Sequence, residues 1–144
     1  MILVRFARTF RERAPEWVLA FIQTGWGATM LMPGETFNRP FFKPLAALAA
    51  ENTWGSVVFL TGVIRLMALY INGSRQETPS VRQACSMGGM LFWALLTMGA
   101  ATLEWRTPAV FNYAGLFVLE AIMFQYAGRD AARNLAKALA NGPR

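Results

Sequence analysis

Four long stretches of this chain, Glu16 to Met32, Trp54 to Ile71, Ala84 to Leu103 and Pro108 to Tyr126, hold between them only three acidic or basic residues: Glu16, Arg65 and Glu120. A helix needs about 20 residues to cross roughly 30 Å of hydrocarbon, and a soluble domain of this size has no use for four such blocks. The other charges are crowded into the segments between the blocks rather than interleaved at helical period, as they would be on a surface helix. With 55% hydrophobic and 15% charged residues among 144, and a mean hydropathy of +0.32, the chain is predicted to form a single all-α integral membrane domain with four transmembrane helices.

Turn chemistry separates the blocks: Pro33-Gly34, then Asn72-Gly73-Ser74 with Pro79, then Glu104 to Thr107 ahead of Pro108. Orientation follows from Lys and Arg, which short translocated loops disfavour. Ten of the fourteen lie in segment 1–15, in the Asn72 to Gln83 loop and in the tail 127–144. Arg39, Lys43 and Arg106 lie on the other side, and Arg65 lies within a span. Both termini are therefore expected in the cytoplasm, which for a bacterial chain means the inner (cytoplasmic) membrane. Trp17, Tyr70 and Tyr126 then fall at the inner boundary and Trp54 and Trp105 at the outer one, where amphipathic rings concentrate. Trp26 and Trp93 fall inside spans, as packing residues. No A-x-A pattern follows the first block, so it is read as an uncleaved span rather than a signal peptide.

Segment 1–15 places Leu3, Phe6 and Phe10 at helical spacing, which predicts an N-terminal amphipathic helix on the inner leaflet. In the outer loop, 33–53, Phe37, Phe41 and Phe42 alternate with Pro40 and Pro44. Rings beside prolines predict a segment resting on the outer bilayer surface, followed by a short helix over Leu45 to Ala50. Ala132, Leu135, Ala136 and Leu139 keep the helical period beyond Tyr126 and predict a cytoplasmic extension of the last helix, closed by Asn141-Gly142-Pro143.

Arg65 and Glu120 are the candidate functional residues. A charge near the centre of a spanning helix costs about 2.5–3.5 kcal/mol on insertion scales. Each lies six residues before the inner end of its span, about 9 Å at 1.5 Å per residue, so the two share a depth at which an intramembrane ion pair can form. Thr61, Gly62, Ala68 and Asn72 surround Arg65 on its helical face, and Tyr113 and Phe117 share a face with Glu120. Gln23, Asn72 and Tyr113 are accordingly candidates for a polar network around the pair. Two roles stand for it: a pin fixing the packing of the second and fourth spans, or a proton-sensitive gating element. Ala20, Thr24 and Ala28 on the first span, and Ala84 with Gly88 on the third, form small-residue rows suited to close helix packing. Cys85 is read as a packing residue rather than an acylation site.

The function classes left are narrow. With no His and one Cys, neither an intramolecular disulfide nor a metal site is expected, and no cofactor is implied. The one Asp, Asp130, lies in the tail, and Glu35, Glu51 and Glu104 are scattered over the outer side, so no catalytic constellation is expected.

Pro15-Glu16-Trp17, Trp26-Gly27, Thr36-Phe37, Glu51 with Trp54-Gly55, Arg65-Leu66, Ala68-Leu69, Ile71-Asn72-Gly73, Pro79 with Arg82, and Arg129-Asp130-Ala131 are short runs spread over most of the chain. In these the chain resembles a group of uncharacterised small membrane proteins encoded by tailed bacteriophages and prophages. Ala50 departs from the group, which favours proline before the glutamate. The resemblance implies that Glu120 partners Arg65, and the group has no established activity. Small size, charged cytoplasmic ends and the lack of catalytic residues are what point to a non-enzymatic phage membrane protein that acts through assembly in the bacterial inner (cytoplasmic) membrane, in the manner of a holin. Its partners would be the lipid bilayer, further copies of itself, and other phage or host membrane proteins. A virion or host-takeover membrane factor is the alternative, in which the basic cytoplasmic face meets nucleic acid or anionic lipid. A small oligomeric proton-coupled transporter ranks below both, because four-helix exporters of this length carry their membrane carboxylate in the first helix.

Overall fold

The structure, a computed structural model, describes residues 13–34, 36–74 and 79–141, with the side chains of 72–74 and 141 outside the description. Every element among them is helical: α1 (Ala14–Leu31), two single 3₁₀ turns (Thr36–Asn38 and Pro40–Phe42), α2 (Lys43–Ala46), α3 (Glu51–Ser74), α4 (Pro79–Leu103) and α5 (Pro108–Asn141). The amphipathic helix expected over 1–15 falls almost wholly outside these residues.

Proline sets most of the boundaries. Pro15, Pro79 and Pro108 open α1, α4 and α5, where a missing N–H removes no helical hydrogen bond. Met32, ahead of Pro33, is extended at φ −71° and ψ 151°, which ends α1. Asn72-Gly73-Ser74, expected as a turn, is instead the last turn of α3, and α4 begins five residues before Ala84. A helix end already held in a bundle tolerates an Asn-Gly step, which costs only about 1 kcal/mol of propensity.

Three helices are long and apolar enough to cross a membrane: Glu51–Ile71 of α3, Pro79–Leu103 of α4 and Pro108–Ala140 of α5. Beside an apolar core that includes Leu19, Met30, Phe92, Trp93 and Leu96, several polar groups are buried and many large apolar ones are not. Glu16, Gln23, Arg65, Arg82, Ser86 and Glu120 are buried, while Phe21, Leu60, Met67, Met87, Leu91, Phe111 and Val118 are exposed. Buried polar groups under a largely apolar surface suit a lipid solvent.

The long helices pair as two antiparallel hairpins, α1 with α3 and α4 with α5. Within the first, a Cβ on Gly27 would strike the Phe59 backbone, and one on Gly62 would lie 2.7 Å from the Thr24 nitrogen, so this crossing is backbone against backbone. Between the hairpins, toward the N-terminal end of α5, lies an aromatic cluster. Trp26 meets Phe92, Trp93 and Tyr113 edge-on at centroid distances of 5.9, 6.0 and 5.8 Å.

The segment 33–53, expected on the outer bilayer surface, packs two of its apolar side chains into the helix core. Phe42 and Leu45 are buried in the core with Met30, Val58, Phe92, Trp93 and Leu96, and the Phe41 carbonyl lies where a Cβ on Gly99 would be. The short helix accordingly comes earlier than expected, at Lys43–Ala46. Glu51 fixes the loop, its two carboxylate oxygens accepting from the backbone N–H of Thr36 and Phe37 at 3.1 Å each. Trp54 adds an indole N–H donated to the Leu45 carbonyl at 2.9 Å.

Candidate functional site

Arg65, two thirds of the way along α3, and Glu120, one third of the way along α5, are both fully buried. The Arg65 Nη1 donates to both carboxylate oxygens, at 2.6 and 2.7 Å. Its Nε and Nη2 are buried without a hydrogen-bond partner among the described residues. Room for the carboxylate comes from Gly89 on α4, where a Cβ would lie 2.6 Å from Glu120 Oε1. The sequence pointed to Gly88 on this helix, yet a Cβ there would meet only Thr61, at an ordinary 3.6 Å.

Of the other three residues singled out from sequence, the structure describes the side chains of two. Gln23 is buried, with its carbonyl oxygen unbonded among the described residues. Tyr113 belongs to the aromatic cluster, stacked on Trp93 at 6.2 Å and 10°, and lies two turns from Glu120, about 10 Å along α5. The Asn72 side chain lies outside the described residues.

A second buried ionic cluster joins α1, α4 and α5 near the N-terminal ends of α1 and α4. Arg82 grips Glu16 with a fork, Nε to Oε2 at 2.7 Å and Nη2 to Oε1 at 2.6 Å. It also reaches Asp130 Oδ2 through Nη1 at 3.3 Å, and Arg13 approaches the same oxygen at 3.6 Å. Arg82 and Glu16 are 1% and 3% exposed, so this is a desolvated bidentate pair and not a surface contact. Sequence reasoning missed it, because Arg82 was counted as a loop charge, Glu16 as the edge of a span and Asp130 as part of the tail. A signal was present: Arg82 shares a helical face with Cys85, Ser86 and Gly89, the same small and polar surroundings that marked Arg65.

Arg82 and Gly89 are seven residues apart on α4, so the two ionic layers are about 10 Å apart along the bundle. Both layers lie between the hairpins, Glu16 on α1 with Arg82 on α4 and Arg65 on α3 with Glu120 on α5. Chemically, each buried carboxylate faces a guanidinium that cannot give up its proton, which holds the two groups of each pair in fixed geometry. Among the described residues no group of His, Cys, Asp and Glu could hold a metal ion, and Cys85 is buried. Comparison with protein-family models, with curated proteins and with solved structures found no match.

Proposed function

We propose that this chain is a phage-type integral protein of the bacterial inner membrane that crosses it four times with both termini in the cytoplasm. It acts without catalysis, through assembly of copies that open the membrane in the manner of a holin. The observation that carries the assembly reading is the bareness of α5. Only 11% of its apolar window is buried, against 44% for α4. Phe111, Val118, Leu119 and Ile122 are exposed within the window, and Leu135 and Leu139 are exposed beyond it. A helix so little covered by its own chain has the surface for lateral packing against copies.

A fourth span is supported by α1. Its hydropathy is lowered by Glu16 and Gln23, which are buried, while Val18, Phe21 and Leu31 face outward like the apolar residues of the other helices. The excess of Lys and Arg at its N-terminal end and in the tail supports the orientation.

The test is the membrane potential of a bacterial host after induced expression, beside an inert membrane protein of equal yield. Abrupt depolarisation at a set time, shifted by Arg65 and Glu120 variants, is the expected result. An undisturbed potential at good expression removes the holin-like action.

A further inference from the structure

At the inner end of the bundle, α1, α4 and α5 enclose a cleft of about 340 Å³. Arg13, Arg82, Arg129 and Arg133 line it, with Glu16, Asp130 and the ring of Tyr126. Both acids are engaged by arginines: Glu16 by the Arg82 fork, Asp130 by Arg82 and Arg13. The cleft therefore carries an excess of two positive charges. They belong in effect to Arg129 and Arg133, which are exposed and form no ion pair among the described residues. One turn apart on α5, these two guanidinium groups are neighbours. Planar forks in such an arrangement fit phosphate oxygens bidentately.

We propose that the cleft binds the phosphate of an anionic phospholipid headgroup. Two observations favour a lipid over a soluble phosphate. Tyr126 sits in the wall, and Ile122, one turn back along α5, is exposed among the outward apolar residues. The cleft thus opens where the apolar belt ends, with basic groups on its aqueous side and a phenol at the boundary, the depth at which headgroups lie. The Arg82 fork holds α1 and α4 in place around it, so the site is formed by the fold before a lipid arrives. The inference rests on the membrane orientation proposed above and is independent of assembly or depolarisation.

The experiment is native mass spectrometry of the full chain, purified from membranes into nanodiscs of equal phosphatidylglycerol and phosphatidylcholine. The expected preference for phosphatidylglycerol is about thirty-fold, which is two arginines at about 1 kcal/mol each near an anionic surface, with tenfold per 1.4 kcal/mol. Arg129→Gln with Arg133→Gln abolishes it, Arg129→Gln alone lowers it about five-fold by the same conversion, and Arg39→Gln with Arg106→Gln at the other end leaves it intact. Equal retention of the two lipids by the parent, or an unchanged preference in the double variant, overturns the proposal. Displacement of the lipid by low millimolar inorganic phosphate overturns it in favour of a soluble anion. Recovery from the membrane fraction reads membrane embedding and lipid selectivity reads the cleft, so the two readings fail separately.

Discussion

Replacing Glu120 by leucine strands a guanidinium in the middle of the bundle. Arg65 has no exposed surface, and its one bonded nitrogen spends both of its contacts on Glu120. Nε and Nη2 have no partner among the described residues to take over. Arginine cannot shed its charge, so the full cost of breaking a buried pair, about 3–5 kcal/mol, is expected. Arg65→Met is milder, about 1–3 kcal/mol, because the abandoned carboxylate can protonate. The double variant Arg65→Met with Glu120→Leu restores a neutral, packed layer and is expected within about 1 kcal/mol of the parent, since apolar replacement of a whole buried pair is often neutral or better. Unfolding of the purified protein in mixed micelles with increasing dodecyl sulfate, followed by the emission of Trp26 and Trp93, measures all four corners of the cycle. A coupling of about 3 kcal/mol or more is expected. Single variants as stable as the parent, or a double variant as damaged as Glu120→Leu, refute the reasoning.

Neighbouring glycines on α4 should respond with opposite sign: Gly89→Ala pushes a methyl against the Glu120 carboxylate and destabilises, whereas Gly88→Ala gains up to about 1 kcal/mol of helix propensity without a clash. The same titration reads both. Arg82→Lys keeps the charge but loses the fork on Glu16, and a loss of about 1.5–3 kcal/mol is expected; a lysine variant as stable as the parent removes the bidentate pair from the account. Reporter fusions after Asn52 and after Arg144 should report opposite sides of the membrane, and the same side for both sinks the four-span topology.

Arg65 and Glu120 could be matched from the sequence because depth in a membrane helix is a residue count, and six residues from the inner end is the same depth in both. Arg82 and Glu16 escaped the same count because both sit at span edges, where charge is ordinarily solvated and informs only orientation. The inward packing of Phe41 and Phe42 was not legible: rings beside prolines indicate an aromatic loop, but only the opening at Gly99 lets its backbone approach α4. The mean hydropathy of α1 carries a related ambiguity, since Glu16 and Gln23 lower it although the fold keeps both inside.

Both buried ion pairs connect the two hairpins, and neither lies within one. Synthesis delivers the halves in sequence, so α1 and α3 emerge first carrying Glu16 and Arg65 without their counter-charges. Arg82 and Glu120 arrive only with α4 and α5. Until the second half docks, neither charge of the first half has its partner. Neither half can therefore neutralise its own buried charges, and the two pairs are completed only when the halves join.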